Sequence, residues 1–106
     1  MNDRNITAEW VDDKYQWSQR TFGPGTRLRG VINHIKEELE EVAEKPNDLT
    51  EWADIIILAL DGASRQGFTG QQIIDAVRFK QSLNVARDWP DWRNFSQDEA
   101  IGHIDG

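Results

Sequence analysis

Between His34 and Asp54 the chain carries Glu37, Glu38, Glu41, Glu51 and Asp54 on either side of one helix-breaking stretch, Lys45-Pro46-Asn47. Before the break, Leu28, Val31, Ile35, Leu39 and Val42 recur at three- and four-residue steps, the spacing of a single helix face. After it comes a second helical run, from Leu49 to about Arg65. If the two helices fold back on each other, five carboxylates converge near one end of a hairpin. Like charges so placed repel, and the arrangement is costly unless something positive sits among them. The candidates are divalent metal ions and, behind them, a phosphate-bearing substrate.

The flanking sequence predicts two more helices. Thr7 can cap a first helix running to about Gln19 or Arg20, with Ile6, Trp10 and Trp17 on one face. Residues 1–6 before it read as a frayed terminus. Thr21-Phe22-Gly23-Pro24-Gly25-Thr26 is a breaker that excludes helix. The second helix spans Leu28 to Glu44, and at about 100° per residue His34, Glu38 and Glu41 fall along one edge of its apolar stripe. That leaves the two edge carboxylates half-buried, with Glu37 further round and Glu40 and Glu44 towards solvent. Asp48 is a good N-cap for the third helix. This helix is apolar over most of its circumference, apart from Glu51, Asp54 and Asp61 on one side, so it is expected at the centre, buried by its neighbours. Thr69 and Gln72 form a capping box for a fourth helix, about Gly70 to Arg87, with Ile73, Val77 and Leu83 towards the core. Residues 92–106 read as a mostly irregular tail with a short helix near Gln97 to Ile104. No stretch reads as a strand, so the expected class is all-α: a four-helix bundle in one domain spanning residues 1–106.

The acidic residues lie three apart in two pairs, Glu38 with Glu41 and Glu51 with Asp54, so each pair projects from adjacent turns of one face. Four carboxylates from antiparallel helices make an oxygen-rich site of the kind Mg²⁺ or Mn²⁺ prefers. The plainer reading is a solvated acidic face, with Glu51 as a capping-box partner of Asp48. Asp54 argues against it, being an acid within the apolar run Trp52–Leu60 with no Lys or Arg nearby in sequence. Lys80, Asn84 and Arg87 share a face of the fourth helix and suit a polyphosphate, unless they are incidental surface charges. His34, one turn before Glu38, is a candidate for proton transfer or substrate contact, or a hydrogen-bonded structural residue. Trp17, Phe22 and Trp89, beside Gly- and Pro-rich breaks, can stack a nucleobase or pack against protein.

Composition narrows the classes. Twelve Lys and Arg stand against 19 Asp and Glu, a net charge of −7; without the five hairpin carboxylates 14 acids would remain, for −2. An acidic chain with no basic block is a poor nucleic-acid binder. With no cysteine, disulfides and thiolate metal sites are excluded. The longest apolar run, Ile55 to Leu60, is too short to span a bilayer, and the polar N-terminus carries no signal peptide, so the expected location is the cytoplasm. There is no Walker-type loop, Ser-His-Asp set or zinc pattern, and neither of the two histidines completes a Glu-x-x-His step on a core helix. A length of 106 residues with 38% hydrophobic residues supports only a thin core, which an oligomer would complete.

Glu37-Glu38-x-x-Glu41 followed by Glu51-x-x-Asp54 resembles the EExxE…ExxD signature of the MazG-like, all-α NTP pyrophosphohydrolases. Lys80-x-x-x-Asn84-x-x-Arg87-x-Trp89-Pro90 resembles the segment after their third core helix. The form His34-Ile-x-x-Glu…Pro-x-Asp-Leu-x-Glu-Trp-x-Asp…Leu-Ala-Leu-Asp-Gly-Ala is similar to the phage dATP/dGTP diphosphohydrolase (MazZ-type) branch. Nine residues separate Glu41 from Glu51, fewer than is usual in the superfamily, so the turn between the helices must be tight. The resemblance implies Glu38, Glu41, Glu51 and Asp54 as ligands to two or more Mg²⁺ or Mn²⁺ ions, and Glu37 as auxiliary ligand or base. It implies Lys80, Asn84 and Arg87 as substrate contacts, to which the residue reading adds His34 and Trp17. The implied reaction cleaves a purine deoxynucleoside triphosphate between the α- and β-phosphates, in a homodimer or homotetramer in the cytoplasm of a phage host. Two alternatives stand beside it: a broad or pyrimidine-specific house-cleaning NTP pyrophosphohydrolase, and a non-catalytic helical module with an acidic face. A buried Asp54 would favour the enzyme and an exposed one the module.

Overall fold

Local capping chemistry sets where the helices begin. In the computed structural model, which describes residues 4–105, α1 (Ala8–Phe22) starts where Thr7 Oγ1 accepts from Trp10 N at 3.1 Å. Residues 4–7 are non-helical, and the rest of the expected frayed end, residues 1–3, lies outside the described residues. α1 runs through Thr21 and Phe22, beyond the expected stop at Arg20, and ends at Gly23. There φ is 97°, a conformation glycine takes without steric cost, and the Gly23 N–H closes on Gln19 O at 3.0 Å.

α2 (Leu28–Glu44) and α3 (Leu49–Arg65) have the expected bounds. Asp48 caps α3, its Oδ1 accepting from Thr50 N at 3.0 Å and from the Thr50 hydroxyl at 2.6 Å. The Trp52 indole N–H donates to Pro46 O at 3.0 Å, tying the first turn of α3 to the breaker. α1 and α2 both pack on α3, the α2–α3 pairing being the more extensive.

Two expectations about faces are corrected. On α1 the residues turned inward are Val11 and Ser18, while Ile6, Trp10 and Trp17 are exposed. The side of α1 that meets α3 is set by Arg65, which claims Ser18. α3 is not sheathed on all sides: Trp52, Ile56 and Ile57 remain 48%, 56% and 38% exposed, because α1 and α2 cover only part of its circumference.

Arg65 is the tie at the far end of α3. Its side chain is 0% exposed, and every guanidinium N–H group has a direction to serve. Nε donates to Asp61 Oδ2 at 2.8 Å, Nη1 to Gly23 O and Gly25 O at 2.9 and 2.8 Å, and Nη2 to Ser18 O and Oγ at 3.2 and 2.9 Å. Nearby, burial lowers the Lys14 ammonium pKa; the Asp61 charge acts in the opposite sense, and Arg65 adds to the lowering.

α4 (Gly70–Ala86) opens with the expected capping box: Thr69 N donates to Gln72 Oε1 at 2.9 Å and Gln72 N to Thr69 Oγ1 at 3.2 Å. Gly70 N also donates to Asp12 Oδ1 at 2.8 Å, and a Cβ at Gly70 would collide with the Ala8 carbonyl. Ile73 is buried as expected, but Val77 is 62% exposed and does not join the core.

The chain divides into two compact units, Met1–Asp75 and Ala76–Gly106, with the boundary inside α4. In the second unit, Trp89 donates its indole N–H to Asn84 O at 2.7 Å and meets His103 edge-on, ring centres 6.0 Å apart. A 3₁₀ turn spans Trp92–Asn94. The helix expected near Gln97 to Ile104 does not form. Ser96 starts a turn with Glu99, but the Ile104 N–H goes to Asp88 O at 2.8 Å instead of to a helical carbonyl. The architecture is therefore all-α, with four helices and no strand among the described residues.

Candidate active site

The hairpin brings carboxylates together across the α2–α3 pairing. Glu38 from α2, and Glu51 and Asp54 from adjacent turns of α3, offer ligand oxygens that all lie within 4.8 Å of one another. The tight turn at Lys45–Asp48 positions Glu51 in the first turn of α3, opposite the last turns of α2. Glu38 and Glu51 are half-buried, but Asp54 is exposed. Exposure at Asp54 corrects the expectation that its apolar neighbours bury it: Ile56 and Ile57 are themselves exposed, so the flanking run offers no cover.

The charges bear on Glu51. Desolvation first, then the charges of Glu41, Asp48 and Glu38, push its carboxyl above the usual glutamate value, and Lys45 pulls it partly back. Asp48 moves the other way, lowered chiefly by the hydrogen bonds from Thr50. Among the described residues no Lys or Arg forms an ion pair with Glu38, Glu51 or Asp54; His34 Nε2, 3.5 Å from Glu38 Oε1, is the nearest such group and is charged only when protonated.

The set fits a hard divalent cation. All three donors are carboxylate oxygens, the ligand type of Mg²⁺, Mn²⁺ and Ca²⁺. An octahedral ion with oxygens at about 2.1 Å spans at most about 4.2 Å between opposite ligands. Since only one pair of three such ligands can be opposite, the carboxylates must draw closer together to share one ion.

The other candidates are placed as follows. Glu41 is exposed on α2, outside the group of three, and acts on Glu51 through its charge. Glu37 is exposed and also outside the group, and His34, itself exposed, meets the group at Glu38. Trp17 is half-exposed and packs edge-to-face on Phe22, ring centres 5.6 Å apart at 87°. Lys80, Asn84 and Arg87 belong to the second unit. Arg87 Nη1 lies 3.4 Å from Asn84 Oδ1, while Lys80 is exposed one turn earlier. Asp61, grouped in sequence with Glu51 and Asp54, is instead buried and paired with Arg65, four residues on. An Asp and Arg at that spacing in an apolar helix is the signal that marks it.

By comparison with known proteins, this all-α chain belongs with the nucleoside triphosphate diphosphatases. The sequence model of one such family, dATP/dGTP pyrophosphohydrolase, matches residues 10–105, and the chain belongs to that family. It is similar to the dATP/dGTP diphosphohydrolase of Cyanophage S-2L, with 34% identity over 87 residues, covering 80% of this chain and 76% of that protein. It is also similar to the Eaa protein of Salmonella phage P22, 36% identical over 76 residues, which cover 72% of this chain but 24% of that longer protein. No solved structure matches it. No described helix is long and apolar enough to cross a membrane.

Proposed function

We propose that this chain is one pyrophosphohydrolase domain that hydrolyses dATP and dGTP to the monophosphate and pyrophosphate, with Mg²⁺ or Mn²⁺ at the α2–α3 hairpin. The convergence of Glu38, Glu51 and Asp54 carries the reading, because three unneutralised carboxylates suit a cation that in turn suits a triphosphate. Glu41, one turn along, is a fourth ligand available to a second ion. A divalent cation held there supplies charge neutralisation at phosphate oxygens and acidifies water. Glu37 is the auxiliary carboxylate, a further ligand or the base that accepts a proton from water. His34 orients Glu38. Lys80, Asn84 and Arg87 offer the charges and amide to hold phosphate or sugar, and Trp17 offers an aromatic surface. The apolar surface of Trp52, Ile56 and Ile57 favours assembly as a homodimer or homotetramer. The working compartment is the cytoplasm of a phage host.

The exposed Asp54 removes the sequence argument against a purely interacting acidic module. Family membership supports the enzyme instead. The test is incubation with each dNTP and NTP in Mg²⁺ or Mn²⁺, with separate assays for pyrophosphate and orthophosphate. Pyrophosphate release from dATP and dGTP is expected. Turnover confined to pyrimidine nucleotides overturns the substrate assignment, and orthophosphate as first product overturns the site of cleavage.

A further inference from the structure

A cavity of about 120 Å³ is lined by Phe22, Arg27, Gly30, Val31, His34, Leu58 and Asp61. It adjoins the acidic hairpin through His34, whose Nε2 is 3.5 Å from Glu38. Cavities of roughly 150 Å³ accept a benzene ring, so this open one suits the edge of a flat heterocycle. Phe22, Val31 and Leu58 offer it apolar and aromatic contact, and the Arg27 guanidinium lies over Gly30, 3.1 Å from where a Cβ would stand.

Asp61 is the unusual member of that wall. It is 7% exposed. Oδ2 is held by Arg65, but Oδ1 is buried and accepts no hydrogen bond among the described residues. Lys14 feels the Asp61 charge without forming an ion pair with it. A buried carboxylate oxygen with no donor is costly, and a ligand N–H removes that cost.

We propose that Asp61 is a specificity residue that accepts a hydrogen bond from an amino group of the nucleobase, with the base seated against Phe22. The proposal rests on the nucleotide reading above and adds which part of the substrate enters this cavity. An acceptor there rewards the 6-amino group of adenine or the 2-amino group of guanine, and penalises bases lacking them.

The test compares dATP with the purine deoxynucleoside triphosphate lacking the 6-amino group, and dGTP with dITP. At least one loss of amine is expected to lower kcat/KM about ten- to a hundredfold, mainly through KM. Asp61→Asn, which offers the cavity an N–H instead, is expected to abolish or invert that preference. Phe22→Leu is expected to raise KM for every base while leaving the amine preference in place. Because Asp61→Asn disturbs a buried ion pair, the wild-type analogue series stands without it. Calorimetric binding of dAMP and dGMP against the same analogues needs no turnover, so it separates failure of this proposal from failure of the catalytic reading. Equal affinities with and without each amine overturn the proposal, as does absence of binding by all four monophosphates. A loss seen on removing the 3′-hydroxyl but on removing neither amine also overturns it, by assigning Asp61 to the sugar.

Discussion

Arg65 Nε lies 2.8 Å from Asp61 Oδ2 in the interior of the first unit, and the same guanidinium reaches Ser18, Gly23 and Gly25. One side chain thereby joins α1, the loop after it and α3. Arg65→Ala strands the Asp61 carboxylate and frees the loop carbonyls. The expected loss is about 3–5 kcal/mol of stability, as for one partner of a buried pair. Arg65→Lys keeps the charge but not the fork, and should recover only part. Urea unfolding of the three proteins measures both.

Asp54 sits at the exposed side of the carboxylate group, so neutralising it perturbs little packing. Asp54→Asn should leave the cation-free protein within about 0.5 kcal/mol of wild type. Turnover should fall by more than about a hundredfold, beyond what loss of an outer-shell partner costs a metal site. Thermal melting and the pyrophosphate assay check the two halves.

Cation binding should be visible as stability. Mn²⁺ at a hundred times its dissociation constant should stabilise the folded chain by about 2.7 kcal/mol. Chelator should reverse the gain, and a Glu38→Gln, Glu51→Gln, Asp54→Asn triple variant should show none. Melting with and without Mn²⁺ is the measurement.

The two acids at the hairpin tip give opposite pH signatures in the cation-free protein. Glu51 is raised on folding, so the native state holds its proton longer than the unfolded chain. Its contribution is lost as pH climbs from the ordinary glutamate value through the raised one. Asp48 is lowered, so its contribution is present above the ordinary aspartate value and lost as pH falls through the lowered one. Glu51→Gln should remove the decline on the alkaline side of the glutamate range and leave the acid limb. Stability measured by denaturant at closely spaced pH values shows which limb changes.

Gly70 sets the start of α4 against α1, next to the Ala8 carbonyl and the Asp12 carboxylate. Gly70→Ala must displace the Ala8 carbonyl and strain the Asp12 hydrogen bond to Gly70 N, for an expected loss of about 1–3 kcal/mol. Because Gly70 lies outside the carboxylate group, the dissociation constant for Mn²⁺ should not change. Unfolding and calorimetric titration test the pair of statements.

What could be read from the sequence was local. The bounds of α2 and α3, the Asp48 cap and the Thr69–Gln72 box depend on residues within a turn of one another, and the structure has them as expected. The acidic spacing pointed to a group of Glu38, Glu41, Glu51 and Asp54, and the structure brings ligand oxygens of Glu38, Glu51 and Asp54 within 4.8 Å of one another. What could not be read depends on partners 40–47 residues away. Arg65 in the last turn of α3 reads as an ordinary helix end until it meets Ser18 and the Gly23–Gly25 carbonyls. That meeting turns Val11 and Ser18 inward and leaves Trp10 and Trp17 outside. Asp61 is a different case: its partner Arg65 is one turn on in the same helix, and that local spacing is what separates it from Glu51 and Asp54.

The hairpin also sets an order of events. Glu38 and Asp54 are 16 positions apart, whereas the ties made by Arg65 close loops of 40–47. Loop closure costs about 0.6 kcal/mol more per doubling of length, so the acidic hairpin is the cheaper closure by roughly 1 kcal/mol. During folding, its carboxylates meet before the clasp at the other end of α3 has fastened. The step that entropy favours first is thus the one that charge opposes, and the ionic content of the surroundings governs how fast the chain gets past it.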